Sequence, residues 1–436
     1  MGNEKRKLRS SSSQNSEAKK SKLSKQSEEK QPSKIKTGFK KTRVNGPKLI
    51  PIQGTSKCCV EQDDCTILKG TGRPRVNHIQ FLNQFQRGFG KLSVLEQIAE
   101  QIYTRDLRWF TISTQVSTPD LRVTAMQWHP HIPNLLVSGG KAGTLQLYDT
   151  KDLSLLNEPK RFIGIGPGCT IEAVRFNTKS CGTEVCTASV DGTVSTYNFD
   201  KDLRSIKVES ECSFSVWFCS VDVHSDGKAV YAGDNKGKLA IHYLDSGKTS
   251  YDLSIHKAKI KHLELHPRNP NVLVTASLDK NVKLWDIRKI DGKNSYFECL
   301  KHLSAVSSAA FSRSDGCRLL TTDLHDQLRV YRAPSWVLEH EISHPHRCFQ
   351  HMTGITASWH PAADLFVIGR YPDPKFDNYD PEMRCVDIFS ASTGKVCYEL
   401  MDSSKLITSL THFNSTGSTL ATSSGRKINL WQYGKT

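Results

Sequence analysis

A repeat of apolar segments occupies most of the 436-residue chain and limits what it can fold into. Each unit has an alternating strand, a turn with Pro, Asp or Gly, a second apolar strand, a tight polar turn and a third strand. The stretches RVTAMQWHPHIPNLLVSGGKAGTLQLYD (122–149) and KIKHLELHPRNPNVLVTASLDKNVKLWDIR (259–288) show this pattern. Seven units begin, 42 to 52 residues apart, near Val123, Ile171, Phe218, Ile260, Val306, Ile355 and Ile407. Short strands at such regular spacing indicate an all-β fold of repeated units.

The length of the unit specifies the kind of repeat. A period of roughly 40 to 50 residues with four strands is typical of the blades of a WD40-type propeller. We therefore predict an all-β, seven-bladed WD40-type β-propeller over residues 107–436. A strand from 108–116 is expected to complete the last blade and close the ring, which removes free sheet edges. The Trp-Asp pair itself stands in one unit, as Trp285-Asp286.

The N-terminal segment, residues 1–75, differs from the repeats in composition. Residues 1–48 contain 15 Lys/Arg and 4 Asp/Glu, a net charge of +11, whereas the rest of the chain, with 45 against 40, carries +5. The segment has too few aromatic and apolar residues for their burial to offset the entropy lost when the chain becomes ordered. We therefore predict a disordered basic tail. Two basic clusters favour a two-part nuclear import signal and hence a nuclear protein, and a generic basic tail that touches nucleic acid is the alternative. The clusters contain Lys5, Arg6, Lys7, Lys19 and Lys20.

Residues 76–106 are expected to form two amphipathic helices with a turn between them. Gly88 and Gly90 interrupt an apolar pattern of helical spacing. The apolar stripe has to be buried, either on the chain's own domain or in a groove of another protein. Its residues are Ile79, Leu82, Phe85, Leu92, Leu95, Ile98 and Ile102.

The cysteines indicate a reducing, intracellular compartment. All 13 are scattered without a Cys-x-x-Cys pair, and the close group Cys58, Cys59 and Cys65 lacks a second ligand pair for zinc. No apolar run reaches membrane length, so no membrane partner is expected. We see no phosphate-cradling glycine loop, nucleophile elbow or carboxylate pair, so an enzyme is not expected, and no cofactor either.

One loop, SHPHRCFQHMTG (343–354), falls between the fifth and sixth units and is unusually rich in ring side chains. Three interpretations compete: a metal site, a filler loop, or a probe that enters another molecule. The metal site would use His344, His346, Cys348 and His351, and such ligands can bind zinc. It is disfavoured because Pro345 restricts the loop and no second ligand cluster accompanies it.

The topology of antiparallel blades predicts which loops share a face. If the strands of each blade are a to d from the axis outward, the d-to-a connections and the b-to-c turns emerge together. The 343–354 loop is a d-to-a connection, so it should share its face with most of the loop cations, although Asp191 and Asp326 fall there too. A basic face suits phosphates, and ordinary solvated turn lysines are the alternative. The cations are Arg122, Lys141, Lys236, Lys259, Lys280, Arg370, Arg426 and Lys427.

Several segments together resemble the family of small, UV-damage-recognising subunits of damaged-DNA-binding complexes. They occur in the family's order over about 320 residues: WHP (128–130), WFCS (217–220), TASLDKNVKLWDIR (275–288), LLTTD (319–323), SHPHRCFQH (343–351) and GRYPDP (369–374). The resemblance implies that Phe349, Gln350 and His351 insert into the minor groove while the damaged bases swing into a shallow pocket. An aromatic wedge can hold a duplex kinked, and extruding a base costs less where pairing is already damaged.

The same resemblance implies further contacts and partners. Arg122, Lys141 and Lys259 would bind DNA phosphates, as would Arg370 and Tyr371, and Trp217 would line the lesion pocket. The helical pair and the box of Trp285, Asp286 and Arg288, of which Arg288 is expected on the opposite face, would dock the large triple-propeller subunit that links a cullin-4 RING ubiquitin ligase. The family acts on chromatin in nucleotide excision repair. The competing interpretation is a protein-binding WD40 scaffold or histone reader, whose face should be acidic.

Overall fold

The computed structural model describes residues 92–434, apart from 153–155, 157, 165, 167, 180–182, 214, 348–352, 377–383 and 403–405. Of residues 92–99 and 252 it gives the backbone alone. The predicted tail, with Lys5, Arg6, Lys7, Lys19 and Lys20, therefore lies outside the described residues. So does the first predicted helix, with Ile79, Leu82 and Phe85. The second predicted helix is present as α1 (Leu92–Leu107).

Seven four-stranded antiparallel sheets follow α1, and the sequence repeat maps onto them. The first strand is β1 (Phe110–Ser117). Blade 1 contains β2 (Val123–Trp128), β3 (Leu135–Gly140), β4 (Leu145–Asp149) and β5 (Lys160–Phe162). Blade 2 contains β6 (Ile171–Phe176), β7 (Glu184–Ser189), β8 (Thr193–Asn198) and β9 (Leu203–Glu209). Blade 3 contains β10 (Phe218–Val223), β11 (Ala229–Asp234), β12 (Lys238–Tyr243) and β13 (Thr249–Ser254).

The later blades repeat this order. Blade 4 contains β14 (Ile260–Leu265), β15 (Val272–Ser277), β16 (Asn281–Asp286) and β17 (Tyr296–Lys301), with a 3₁₀ turn, Ile287–Lys289, after β16. Blade 5 contains β18 (Val306–Phe311), β19 (Arg318–Asp323), β20 (Gln327–Arg332) and β21 (Val337–Ser343). Blade 6 contains β22 (Ser358–Trp359), β23 (Leu365–Gly369), β24 (Arg384–Ser390) and β25 (Val396–Asp402). Blade 7 contains β26 (Thr408–Phe413), β27 (Thr419–Ser424) and β28 (Lys427–Tyr433).

The ring is closed by the strand that the sequence predicts for this purpose. β1 pairs with β28 as the fourth, outermost strand of blade 7, with Phe110 opposite Tyr433 and Val116 opposite Ile428. Each blade therefore has four strands although the last unit supplies three of its own. The seven-bladed propeller prediction is confirmed.

The core of the fold lies between neighbouring blades. Inner strands are buried on both faces, as in β15, whereas outer strands such as β9 alternate between exposed and half-buried side chains. Between blades 4 and 5, for example, Val274 and Leu284 pack against Val306 and Phe311. Because neighbouring blades bury each other's faces, the second strand of a unit reads as a mainly apolar run, as β15 does.

Blade 6 begins differently from the others. The repeat places its first strand near Ile355, but β22 starts at Ser358. The backbone amide of Thr356 donates instead to the carbonyl of Ser409 on blade 7 (3.3 Å). The end of the 343–354 loop thus lies against the next blade before the chain enters its own sheet.

The C-terminal part of α1 packs on the chain's own propeller. Leu107 is buried in a cluster with Phe110 and Trp431, and the ring of Tyr103 lies 4.3 Å from that of His360. Ile102 is exposed. This part of the helix thus agrees with the first of the two predicted alternatives, in which the apolar stripe packs on the chain's own domain. Ile102 nevertheless faces solvent.

None of the eight cysteines that the structure describes forms a disulfide bond. In the described part of the chain, no helix has both the length and the apolar character needed to cross a membrane.

Candidate nucleic-acid interface

Backbone hydrogen bonds join the d-to-a connections to the b-to-c turns on one face of the propeller, the loop face. The amide of Lys141, in the β3–β4 turn, donates to the carbonyl of Arg122 before β2 (2.9 Å). In blade 4, the amide of Leu278 donates to the carbonyl of Lys259 (3.0 Å). The structure therefore brings the predicted loop cations together at the same end of each blade.

Four of the eight predicted loop-face cations are exposed to solvent. Arg122, Lys259 and Lys427 are half-buried, and Arg426 donates to the carbonyl of Thr118 (3.3 Å). A surface with several exposed cations attracts a polyanion. The exposed cations are Lys141, Lys236, Lys280 and Arg426.

Lys259 shares a carboxylate with a second lysine. Glu172 Oε2 lies 2.6 Å from the Lys261 ammonium and 3.6 Å from that of Lys259. Burial disfavours the charged carboxylate, but Lys261 and Lys259 outweigh it and lower the pKa of Glu172 to about 2. Two lysines and one carboxylate leave one positive charge beside the central channel.

The first half of the 343–354 loop is fixed by two buried histidines. His344 Nε2 lies 2.9 Å from Asp387 Oδ2, and His346 Nε2 lies 3.4 Å from Asp323 Oδ1. The two rings stack, with their Nδ1 atoms 3.2 Å apart. Their exposed fractions are 2% and 0%, so both side chains point into the protein and away from any ligand on the face.

The second half of the loop is fixed to another blade. Thr353 Oγ1 donates to the carbonyl of Val123 in β2 (3.2 Å), next to Arg122. The amide of Tyr371 also donates to the carbonyl of Pro345 in the first half (2.8 Å). The loop is thus held at both ends over the middle of the loop face, while its predicted tip, Phe349, Gln350 and His351, lies outside the described residues.

Two further predicted DNA contacts have different surroundings. The guanidinium of Arg370 donates to both oxygens of Asp387 (2.8 and 2.7 Å) and to Glu399 (2.7 Å). Trp217 is half-buried just before β10, with its carbonyl bonded to the amide of Asn235 (3.0 Å). Arg370 is therefore engaged by carboxylates, and Trp217 lies at the loop face.

The central channel opens beneath the loop. It is a cavity of about 600 Å³ lined by residues that include Glu172, Lys261, His262, Thr353 and Gly354. Burial, with nearby arginines contributing, lowers the pKa of His262 to about 3, so the ring is neutral at physiological pH. The inner strands thus carry polar side chains on the channel side, a pattern the sequence shows in EAVRF (172–176) and KHLEL (261–265).

The Trp-Asp-x-Arg box has an internal and an external part, on the face opposite the loop face. Trp285 is fully buried, and its Nε1 donates to Thr275 Oγ1 (2.8 Å), which bonds in turn to His256 Nε2 (2.8 Å). Asp286 holds Arg288 through two hydrogen bonds (2.9 and 2.7 Å), and the Arg288 side chain is 63% exposed. The box thus combines a buried tryptophan inside the blade with an arginine that is exposed at the surface and paired with Asp286.

Comparison with known proteins agrees with this architecture. The family model "WD domain, G-beta repeat" matches residues 247–286 and 384–432. DNA damage-binding protein 2 of Bos taurus is 38% identical over 356 residues, which cover 81% of this chain and 82% of that protein. DNA damage-binding protein 2 of Mus musculus is 35% identical over 403 residues, 92% of this chain and 91% of that protein. The chain belongs to the DNA damage-binding protein 2 family.

Family membership extends to more distant relatives. Protein DAMAGED DNA-BINDING 2 of Arabidopsis thaliana is 27% identical over 388 residues, 85% of this chain and 66% of that protein. The resemblance of the quoted segments to this family is therefore confirmed over most of the chain.

Sequence reasoning missed the carboxylates that anchor the loop. Asp323 ends β19 and Asp387 lies in β24, and both are buried. For Asp387 the sequence signal is a charged residue within the apolar part of β24, CVDIF (385–389), whereas Asp323 follows two threonines at the end of its strand. Among the described residues, no group of three or more His, Cys, Asp or Glu side chains has a metal-binding arrangement. Two of the four ligands of the metal interpretation, Cys348 and His351, lie outside those residues.

Proposed function

We propose that the chain binds damaged double-stranded DNA through its loop face. The observation that carries this proposal is the 343–354 loop, anchored at both ends over the centre of a face that presents exposed cations. The relatives named DNA damage-binding protein 2 support it. Exposed lysines would hold the phosphates whatever the sequence, and the loop would test the duplex between them.

In this mechanism Phe349, Gln350 and His351 enter the minor groove and the damaged bases leave the stack. The aromatic ring fills the gap, and the Gln and His side chains bond to the orphaned bases opposite. Extrusion costs a few kcal/mol in sound DNA and less at a photodimer or an abasic site, so the preference arises from deformability. Trp217, half-buried at the same face, is proposed to line a shallow pocket for the extruded bases.

A fluorescent base tests the extrusion. A duplex carries 2-aminopurine beside a photodimer or beside the matching intact step. On binding, we expect a rise in fluorescence for the damaged duplex, because the base unstacks, and Phe349→Ala should suppress the rise. Binding of the damaged duplex without any rise would contradict the insertion mechanism.

The opposite face is proposed to dock the large triple-propeller subunit of a cullin-4 RING ubiquitin ligase, so that the chain acts in the nucleus as a substrate receptor in nucleotide excision repair. Support comes from the exposed Asp286–Arg288 pair and the exposed Ile102 on α1. The two surfaces are at opposite ends of the blades, which leaves the DNA-binding face open while the adaptor is bound. Leu95 and Ile98 share the helix with Ile102 and are proposed to join this contact.

A protein-binding scaffold or histone reader remains the competing function. Basic histone tails need acidic partners, and the exposed residues of the predicted loop-face set are cations. The chain should therefore bind an irradiated duplex in preference to a histone tail peptide, which a competition titration decides.

A further inference from the structure

We propose that Asp323, Asp387 and Arg370 are positioning residues of the 343–354 loop, which hold His344 and His346 and thereby set the direction of the loop without touching DNA. The inference rests on the proposed function, because aiming the loop matters for activity only if the loop probes a ligand. It reassigns Arg370, which the family resemblance suggests as a phosphate contact, to a role inside the protein.

The anchor joins the loop to two different blades. Asp387 lies in β24 of blade 6 and receives His344, while Asp323 ends β19 of blade 5 and faces His346. The backbone adds a third tie, because the amide of His344 donates to the carbonyl of Asp326 in blade 5 (2.9 Å). A segment tied to both sides of a blade interface has little freedom to rotate.

Arg370 orients one of these carboxylates. It makes a two-pronged contact with Asp387, and its Nη2 also reaches Glu399 on β25. Burial raises the pKa of Asp387, but His344 and Arg370 outweigh it, so the carboxylate stays ionised at neutral pH. A phosphate at Arg370 would have to replace a planar, bidentate carboxylate pair in a half-buried site, which is unfavourable.

The number of N–H groups decides which contacts of the two histidines are hydrogen bonds. The contacts Asp387–His344, His344–His346 and His346–Asp323 each require one N–H group for a hydrogen bond. Two neutral rings carry two such groups. The two shorter contacts, 2.9 and 3.2 Å, have hydrogen-bond lengths, and the third, 3.4 Å, is longer. Asp387 therefore fixes the tautomer of His344, and through it the orientation of His346.

The test compares two buried His–Asp pairs in the same chain. Asp387→Asn removes the charge of the loop anchor and places an amide N–H against either Arg370 or His344. Asp279→Asn is the matched control, since Asp279 Oδ2 receives His256 Nδ1 at 2.9 Å in blade 4, away from the loop. Both variants are assayed by thermal unfolding and by titration with irradiated and intact duplexes across a salt series.

We expect Asp387→Asn to lower the preference for the irradiated duplex about tenfold or more, while affinity for the intact duplex stays within about twofold and the salt slope is unchanged. Asp279→Asn should keep the full preference after a comparable fall in melting temperature. Arg370→Lys, which retains the charge but loses the fork, should behave like Asp387→Asn. If Arg370→Lys keeps the preference, or if Arg370→Gln reduces the salt slope by about 0.9, Arg370 is a phosphate contact and the inference is overturned.

Hydrogen exchange without DNA separates this inference from the proposed function. The amides of His344 and Tyr371 both donate to carbonyls at the loop anchor. Asp387→Asn should speed their exchange at least about tenfold, and Asp279→Asn should not. Unchanged exchange overturns the positioning role, whereas a wild-type chain that lacks any damage preference overturns the proposed function and leaves the exchange result to decide on positioning.

Discussion

Replacing Lys141 by Gln should weaken binding to every duplex by the same factor. Lys141 is exposed in the β3–β4 turn, and its backbone is tied to Arg122 at the loop face. Lys151 is a matched control, because it is also exposed and follows the other end of β4, on the opposite face. Each change to Gln removes one positive charge from the same blade, so the two variants have the same net charge.

The size of the effect follows from counterion release. One phosphate contact changes the slope of log K against log salt by about 0.9. We take the contribution of one phosphate contact to the binding constant to vanish near 1 M salt. Loss of the contact then lowers the binding constant at 0.15 M salt by a factor of (1/0.15) raised to the power 0.9, which is about fivefold. The four exposed cations at the loop face, Lys141, Lys236, Lys280 and Arg426, would together contribute about three orders of magnitude.

Fluorescence anisotropy with labelled intact and irradiated duplexes between 50 and about 300 mM salt measures both slope and affinity. We expect Lys141→Gln to lower both affinities about fivefold at 0.15 M salt with an unchanged ratio between the duplexes, and Lys151→Gln to leave both unchanged. Equal effects of the two variants would mean that binding depends on net charge alone. The loop face would then not be the DNA-binding surface.

Other perturbations address separate parts of the molecule. Phe349→Ala should abolish most of the preference for an irradiated duplex in a competition titration while weak binding persists; an unchanged preference excludes the wedge. Arg288→Ala should impair adaptor assembly in a pull-down with DNA affinity intact, and the reverse result overturns the assignment of the two faces. Trp285→Phe, which leaves the buried Thr275 hydroxyl without its donor, should lower the free energy of unfolding by about 1–3 kcal/mol in denaturant titrations. Since the pKa of Glu172 falls from 4.5 to about 2, its ionised form stabilises the fold above about pH 4.5, and this stability is lost as pH falls towards 2. Glu172→Gln should flatten the stability profile in that window.

The fold is predictable because the repeat reports a physical requirement. The second strand of a blade is covered by the neighbouring blades, as β15 is, so an apolar run recurs once in each unit. The closing strand is predictable as well, since the last unit lacks a fourth strand and an open edge is costly. The start of blade 6 escapes prediction because Thr356 bonds to blade 7, a contact between residues far apart in the sequence.

The site is less predictable than the fold. Loop cations can be assigned to a face from strand topology, but their partners cannot. Arg370 reads as a phosphate ligand until its carboxylates appear 17 and 29 residues later in the chain. His344 finds Asp387 at a separation of 43 residues. Pairings of this kind join residues far apart in the sequence and depend on three-dimensional packing, which a local pattern does not contain.

An equilibrium competition at fixed salt tests the central claim, that this face recognises damage. The chain, bound to a labelled irradiated duplex, is titrated with unlabelled irradiated or intact duplex of the same sequence. Because extrusion from sound DNA costs a few kcal/mol more, irradiated competitor should displace the label at a concentration at least about tenfold lower. Equal displacement by the two duplexes would contradict the account.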